Sequence, residues 1–392
     1  MKHDLQIEIL KKILHNEATG EKQLAPAMTQ IPVAAYFSDE QRLLERDQIF
    51  KTAPLVFGMS HELAEAGTYK TNDRYGVPLL LTRAADGVAR TFLNVCRHRG
   101  ARVANDDGGQ VRKVLSCPYH GWSYDLSGEL VHIPGAESFP GLDPSCNGLV
   151  ELPTEERHGL VWGCLTPGAP LDIAAYIGSF DEDLAGFGLE EAHFLCQEVT
   201  AQQFNWKIGV DTFLESYHFG VLHRNSIGPL FQHDTCIVDV DGPHIREIFP
   251  RKSTAMLEQM PLEQWDLPDH SAMVYVLYPN TAWVMQRDHI ELWRIYPDPH
   301  ESGRCVLTMD FMTPEPVIDE KARVHFQKNV DILMKTVLEE DFPAGVGIQA
   351  GLRCGAQTHV TFGRNEPALA HFERTIASQT WDRDSAVAEA AE

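Results

Sequence analysis

The sequence predicts an α+β protein in two parts: an all-β unit in the first half, and a larger unit of strands covered by a long helix. Two patterns predict it. Between positions 56 and 163 the chain runs in short alternating stretches divided by Gly, Pro and Asn, the signature of small β-sheets. Between 272 and 312 four strand-length apolar runs are followed by a helical stripe of Ala322, Phe326, Val330, Leu333 and Val337. A chain of 392 residues has room for two such cores.

In chain order, Leu5, Ile9 and Ile13 recur every four residues and predict an amphipathic helix. Ser38 followed by Gln41 is a capping-box signature that starts a second helix running to about Phe50, so 1–50 reads as N-terminal helices. The β unit follows at 51–166, with strands expected at 77–82, 91–95, 113–116 and 160–165. Pro167 to Pro170 form a hinge into the second unit, 167–381. That unit holds a helix-rich segment at 204–223, strands at 272–278, 282–286, 290–296 and 305–312, and the long helix from about Pro316. Strands under a long helix imply a domain with a cavity. The tail, 382–392, is rich in Ala, Asp and Glu without a periodic face and reads as disordered.

Composition excludes some partners. With 33 basic and 56 acidic side chains the formal charge is −23, which argues against nucleic acid and against an anionic membrane and suits a basic electron donor. No apolar run reaches membrane-spanning length, and the N-terminus lacks the order of a signal peptide. Eight cysteines without a Cys-x-x-Cys pair fit free thiols in a reducing compartment, so a cytoplasmic protein is expected. His233 and Cys236 make half a metal site at most; a satisfied or exposed pair is the simpler account.

The densest chemical signal is Cys96-Arg97-His98, answered after eighteen residues by Cys117-Pro118-Tyr119-His120. Two Cys-plus-His pairs at this spacing are the ligand set of a Rieske [2Fe–2S] cluster, in which two thiolates hold one iron and two imidazoles the other. A zinc finger orders its ligands differently, as a cysteine pair followed by a histidine pair. Gly100 and Gly121-Trp122 behind the two pairs let backbone approach the sulfurs and aim N–H groups at them.

A second group of ligand-type residues is Glu215-Ser216-Tyr217-His218 with His223. Two imidazoles and one carboxylate with open positions form the facial triad of non-haem Fe(II) oxygenases. Glu215 and His218, three apart, share a helix face. His218 and His223, five apart, lie about 140° around an ideal helix, so the helix must end, kink or bulge between them, with Gly220 a suitable place. Asp341 is the expected third ligand. It lies four residues after Val337, where a carboxylate on the apolar stripe must be paired, protonated or metal-bound. Glu339 and Glu340 fall off that stripe and read as solvated groups or as partners of the ligands.

With these motifs, and with Asn205-Trp206-Lys207 and Glu340-Asp341, the chain resembles the catalytic α-subunit of a Rieske non-haem iron oxygenase, of the ring-hydroxylating or demethylating kind. The resemblance implies an N-terminal Rieske [2Fe–2S] all-β domain, then a helix-grip, START-like catalytic domain with an antiparallel sheet and a long helix around a substrate cavity. It implies one [2Fe–2S] cluster on Cys96, His98, Cys117 and His120, and one mononuclear Fe(II) on His218, His223 and Asp341. It also implies a head-to-tail homotrimer, in some members with a β-subunit, in which Glu215 bridges His218 to a cluster histidine (His120 or His98) of the neighbouring subunit. Most relatives place Asp at that position; Glu occurs in relatives that oxidise trimethylammonium compounds. Asp211 and Tyr217 are candidates for orienting the histidines, and equally for structural hydrogen bonding.

The chain shows no flavin or nicotinamide motif, so NAD(P)H electrons are expected through a separate reductase, with or without a ferredoxin. The implied reaction uses O2 to hydroxylate or dihydroxylate an aromatic or other hydrophobic small molecule; the alternative is oxidative O- or N-demethylation, including of quaternary amines. Two further readings compete, a Rieske electron carrier and a ligand-binding module whose metal site has decayed. The length of chain beyond Pro167 and the complete ligand set count against both. Cavity-lining candidates lie in 227–231, 274–278, 283–285 and 290–293. A cationic substrate would favour an aromatic cage, for which Trp283 and Trp293 are available.

Overall fold

The alternating runs of the first half fold into three small antiparallel sheets within the unit Phe50–Tyr176. The structure, a computed structural model, describes residues 1–381; the predicted tail lies outside the described residues. The expected strands fall at Leu79–Arg83, Ala89–Leu93, Val114–Ser116 and Leu160–Gly163. Val114–Ser116, Ser123–Asp125 and Leu130–His132 form one sheet. It packs into a core with Leu80, Phe92, Trp122 and Tyr124. The turn at Gly128 rests on the Phe92 ring. Its φ is +86°, and a Cβ there would lie 2.4 Å from the ring, so only glycine fits.

The second unit is discontinuous, formed by Met1–Ile49 and the chain from Ile177 onward. Its frame is a seven-stranded antiparallel sheet of β1 (His193–Gln202), β2 (Ile237–Asp241), β3 (His244–Pro250), β4 (Ser271–Leu277), β5 (Thr281–Met285), β6 (Ile290–Pro297) and β7 (Cys305–Thr313). The spatial order is β1-β7-β6-β5-β4-β3-β2, so the first strand pairs with the last. Strands β3 to β5 are buried along nearly their whole length because both faces of the sheet are covered. Alternation therefore carries no inward signal here. Register supplies it: Val274, Val284 and Glu291 stand opposite one another on one face. Tyr275 and Trp283 share the other face, where they meet Phe180 and Phe187.

The N-terminal helices are α1 (His3–Thr19) and α2 (Asp39–Glu45). Ser38 caps α2 by accepting from the Gln41 amide, as the capping signature predicts, and a π-turn carries the segment on to Phe50. The side chain of Gln41 does not complete the box; it donates instead to Glu45 and Thr380. Helix α3 (Trp206–Asp211) is capped by Asn205. The Trp206 indole and the Lys207 ammonium both donate to Glu45, at 2.8 and 2.5 Å. The Asn-Trp-Lys motif thus anchors the N-terminal helices, and Lys207, fully buried, has the paired carboxylate that such burial requires.

The long helix appears as α4 (Glu320–Thr336), capped by Asp319, then a π-turn Val337–Asp341, then α5 (Phe342–Arg353). Pro343 explains the break: it has no N–H for the carbonyl of Glu339, and its ring would clash there in a regular helix. Helix α6 (Pro367–Thr380) closes the fold. Among the described residues no helix is long and apolar enough to cross a membrane.

Candidate functional site

The four cluster-type residues sit on two loops built alike. In each, the Cys amide donates to the carbonyl five residues on (Cys96 to Ala101, Cys117 to Trp122), and the glycine four residues on donates back to the Cys carbonyl. Gly100 and Gly121 close these loops with φ of +79° and +74°. Cys96 and Cys117 are buried, whereas His120 is exposed and the His98 and His120 rings lie 4.7 Å apart between centroids. Partial burial first, then the charges of His120 and Arg99, lower the His98 imidazole, favouring the neutral form that a metal requires. Trp122 stacks on His98 at 4.9 Å. The backbone amides of Tyr119 and His120 point at the Cys117 sulfur. The Tyr124 hydroxyl accepts from the Arg97 amide at 2.9 Å, leaving its proton for the Cys96 sulfur at 3.3 Å. Buried thiols and edge-on imidazoles, with donors aimed at sulfur, fit a [2Fe–2S] group held by Cys96, His98, Cys117 and His120.

In the second unit, α3 ends at Asp211 and a single 3-10 turn, Tyr217–Gly220, carries His218. The regular helix has thus ended before His223, which resolves the angular mismatch. Gly228 turns the following loop so tightly that a Cβ would lie 2.5 Å from the Phe219 carbonyl and 2.7 Å from that of His223. Asp341 arrives from the π-turn. The Nε2 atoms of His218 and His223 stand 3.1 Å apart, and Asp341 Oδ1 lies 3.7 and 3.1 Å from them. Among the described residues this trio forms a group whose ligand atoms all fall within 4.8 Å.

The outer nitrogens decide what that convergence means. Nδ1 of His218 contacts Glu215, which also accepts from the His218 amide at 3.0 Å. Nδ1 of His223 contacts Glu340 at 2.6 Å, and Ser226 donates to the same oxygen. Each carboxylate is an acceptor, so each Nδ1 carries its ring's proton and each Nε2 presents a lone pair. Two lone pairs and a carboxylate oxygen facing one another repel unless a cation lies between them. Metal–imidazole bonds of about 2.0–2.1 Å meeting at right angles put their nitrogens about 3 Å apart. The donor set fits a metal ion with one open face. Burial alone would lower the His223 imidazole, but Asp341 and Glu340 outweigh it and raise it.

The open face looks into a cavity of about 460 Å³. Phe213, Phe219, Phe231 and Phe249 line it with Val274 and Val284, and its polar end carries Arg251, Gln286 and the Asp288-His289-Glu291 group. His289 touches Asp288 at 2.7 Å and Glu291 at 3.3 Å; burial opposes its charge, but the two carboxylates raise it to about 8. Asp288 is held low, first by His289 and then by His325.

Other sequence expectations meet different neighbours. Tyr217 is 61% exposed. Asp211 pairs with the Tyr36 hydroxyl at 3.5 Å, and its other oxygen is sealed without a partner. Burial first, then the Glu373 charge, pushes its carboxyl well above the usual range. Of the cavity candidates, Ile227, Leu230, Phe231, Val274, Val284 and Glu291 face inward. Trp283 lies on the opposite sheet face, and the Trp293 indole donates to Glu291 at 3.1 Å, so the aromatic wall is made of phenylalanines. His233 Nε2 donates to the Gly228 carbonyl at 2.8 Å, and Cys236 is a buried thiol beside Glu247, so the pair makes no metal site among the described residues. All eight cysteines are free. Sequence reasoning missed Arg251, which stands outside any periodic pattern, and Tyr124, whose signal is its place on the strand next to the second cluster loop.

Comparison with known proteins gives two family matches: the Rieske [2Fe-2S] domain over residues 53–149, and the ring hydroxylating alpha subunit (catalytic domain) over 189–381. The carnitine monooxygenase oxygenase subunit of Escherichia coli (strain K12) is 32% identical over 202 residues, 49% of this chain and 52% of that one. Biphenyl 2,3-dioxygenase subunit alpha of Rhodococcus jostii (strain RHA1) is 33% identical over 190 residues, 45% of this chain and 39% of that one. The chain spans about half the length of the curated relatives it matches first. The fold matches the crystal structure of a quaternary ammonium Rieske monooxygenase with a TM-score of 0.78 at 20% identity, covering 91% of this chain and 96% of that one.

Proposed function

We propose, because the chain belongs to the Rieske non-haem iron oxygenases as a catalytic α-subunit, that it is the terminal oxygenase of a multicomponent system acting on a small molecule with an apolar body. The observation that carries this reading is the convergence of His218, His223 and Asp341 on the wall of a largely phenylalanine-lined cavity. Those three residues would hold the iron, and Cys96, His98, Cys117 and His120 the cluster. When bound, the iron supplies O2 activation and the cluster supplies single electrons.

The chain's own groups do the rest. Glu215 and Glu340 keep the Nδ1 protons, so both Nε2 lone pairs stay turned inward. Asp341 contributes the one formal negative charge among the three ligands and leaves one side of the site open to the cavity. The Phe213, Phe219, Phe231 and Phe249 rings exclude water and set the substrate's apolar part near that side. Glu215, in contact with His218 Nδ1, would link that histidine to a cluster histidine of another subunit in a homotrimer. Large apolar side chains lie exposed beside both ends of such a link: Tyr119 next to His120, and Tyr217 and Val221 beside His218. Electrons would come from NAD(P)H through a reductase, with or without a ferredoxin. The −23 charge favours a basic donor, and the free thiols favour a cytoplasmic setting.

Hydroxylation of an aromatic or other hydrophobic substrate is the leading reading. Oxidative demethylation or monooxygenation, including of quaternary amines, is the second; it is favoured by the carnitine-oxidising relative and by the glutamate at 215. Iron analysis together with substrate-dependent O2 uptake in the presence of a surrogate reductase tests the proposal. Three irons per chain and uptake coupled to product support it, whereas two irons and no uptake leave only an electron carrier.

A further inference from the structure

The polar end of the cavity holds a charge without a counter-charge. Arg251 follows the last residue of β3, and its guanidinium lies over the Phe231 ring at 4.9 Å. Its Nη2 donates to Gln286 Oε1 at 2.6 Å, and its Nε is sealed from solvent with no partner. The nearest acids are already engaged. Asp288 is held by His289 and by His325 at 2.6 Å, and Glu291 by His289, Trp293 and Gln286. Arg287, the neighbouring cation, is exposed and paired with Asp269. Among the described residues no carboxylate lies within ion-pair distance of Arg251. Burial lowers its pKa, and the charges of Asp288, Glu291 and Asp269 offset that only in part, with Arg287 opposing them.

A half-buried guanidinium left open on a cavity wall is completed by whatever enters the cavity. Its planar fork matches a carboxylate better than it matches any neutral group. From Arg251 the wall runs through Phe231 and Phe219 to His223, with ring centroids 5.5 and 5.6 Å apart, so a ligand anchored at one end lies along apolar rings toward the metal ligands. We propose that Arg251 binds a carboxylate of the substrate, which is therefore an organic acid with an apolar or trimethylammonium body directed at His218 and His223. This rests on reading the cavity as the oxygenase's substrate site. The Asp288-His289-Glu291 group, whose carboxylates are turned to histidine, closes the polar end beside the anchor and leaves Arg251 as its anion-binding member.

The test is equilibrium binding to the cluster- and iron-loaded protein, without reductant, measured calorimetrically with matched probes. Benzoate is compared with benzamide, and 4-trimethylammoniobutyrate with choline. In the wild type at least one acid should bind about tenfold or more tightly than its carboxylate-free counterpart; which pair discriminates tells an aromatic acid from a zwitterion. Arg251→Gln should abolish the discrimination while leaving the affinity for benzamide, the uncharged probe, and the cluster's visible spectrum unchanged, and Arg251→Lys should keep part of it. Equal affinity of acid and counterpart in the wild type, no binding of any probe, or discrimination that survives in Arg251→Gln overturns the inference. The wild-type comparison needs no variant to fold. Loss of the third iron would instead sink the oxygenase reading, so the two failures are told apart.

Discussion

The two candidate metal centres are built on opposite principles. The cluster site draws its four ligands from 25 consecutive positions, Cys96 to His120, on twin loops whose hydrogen bonds are mostly internal. The second site joins His218 and His223 to Asp341, more than a hundred residues away, and depends on a helix that ends early and another that bulges. A local site is fixed by its own turns. A site made of distant segments is fixed by the packing of the whole domain and by the groups that hold each ligand. The first should therefore survive damage to the second.

The largest effect is expected from removing the distant ligand. Asp341→Ala takes the carboxylate from between two imidazole lone pairs, so mononuclear iron should be lost and turnover abolished, while the cluster's absorption spectrum stays unchanged. Full activity in this variant would show that the wrong carboxylate was assigned. The reverse experiment strikes the local site through its support. Gly128→Ala places a Cβ 2.4 Å from the Phe92 ring at a φ of +86°, with an expected cost of about 3 kcal/mol from strain and overpacking. Chemical denaturation should show the midpoint of the cluster-bearing unit falling, with iron binding by His218, His223 and Asp341 retained. A midpoint that does not move would mean the hairpin relaxes freely.

Legibility in the sequence follows the same division. Cys96, His98, Cys117 and His120 are readable because their spacing is short enough to be the geometry. His218 and His223 are readable as ligands, but the helix end that reconciles them is visible only in the structure. Asp341 stood out as a charge on an apolar stripe. The π-turn that aims it has a sequence cause in Pro343, which marks a break without specifying its shape. Asp211 and Tyr217 fall near the histidines in sequence, but sequence spacing does not show that Asp211 meets the Tyr36 hydroxyl or that Tyr217 is exposed on its 3-10 turn. The inward face of β3 to β5 was unreadable for a general reason: strands covered on both sides lose the alternation that would mark one.

A smaller effect separates the ligands from the groups behind them. Glu340→Gln keeps an acceptor for the His223 Nδ1 proton and for Ser226 but removes the charge. Iron affinity, read by competition with a chelator, should fall about 10- to 100-fold, with the cluster unaffected. Unchanged affinity would make Glu340 a surface acid that merely lies near His223.

The smallest effect tests the cluster's own tuning. Tyr124 gives its hydroxyl proton to the Cys96 sulfur and receives the Arg97 amide, so its contact lies on the side of the cluster ligated by thiolate. Electron uptake adds negative charge to the cluster as a whole, and a hydrogen bond to a ligand sulfur would stabilise the reduced state more than the oxidised one. Tyr124→Phe removes that bond and keeps the ring, which fills the core beside Phe92 and Trp122. A hydrogen bond worth about 1–1.5 kcal/mol corresponds, for one electron, to about 60 mV. Protein-film voltammetry should therefore place the variant's reduction potential lower by about that amount, with iron at the distant site and thermal stability nearly unchanged. A potential that stays put would mean the hydroxyl proton points elsewhere, and that the backbone amides of the two loops set the potential alone.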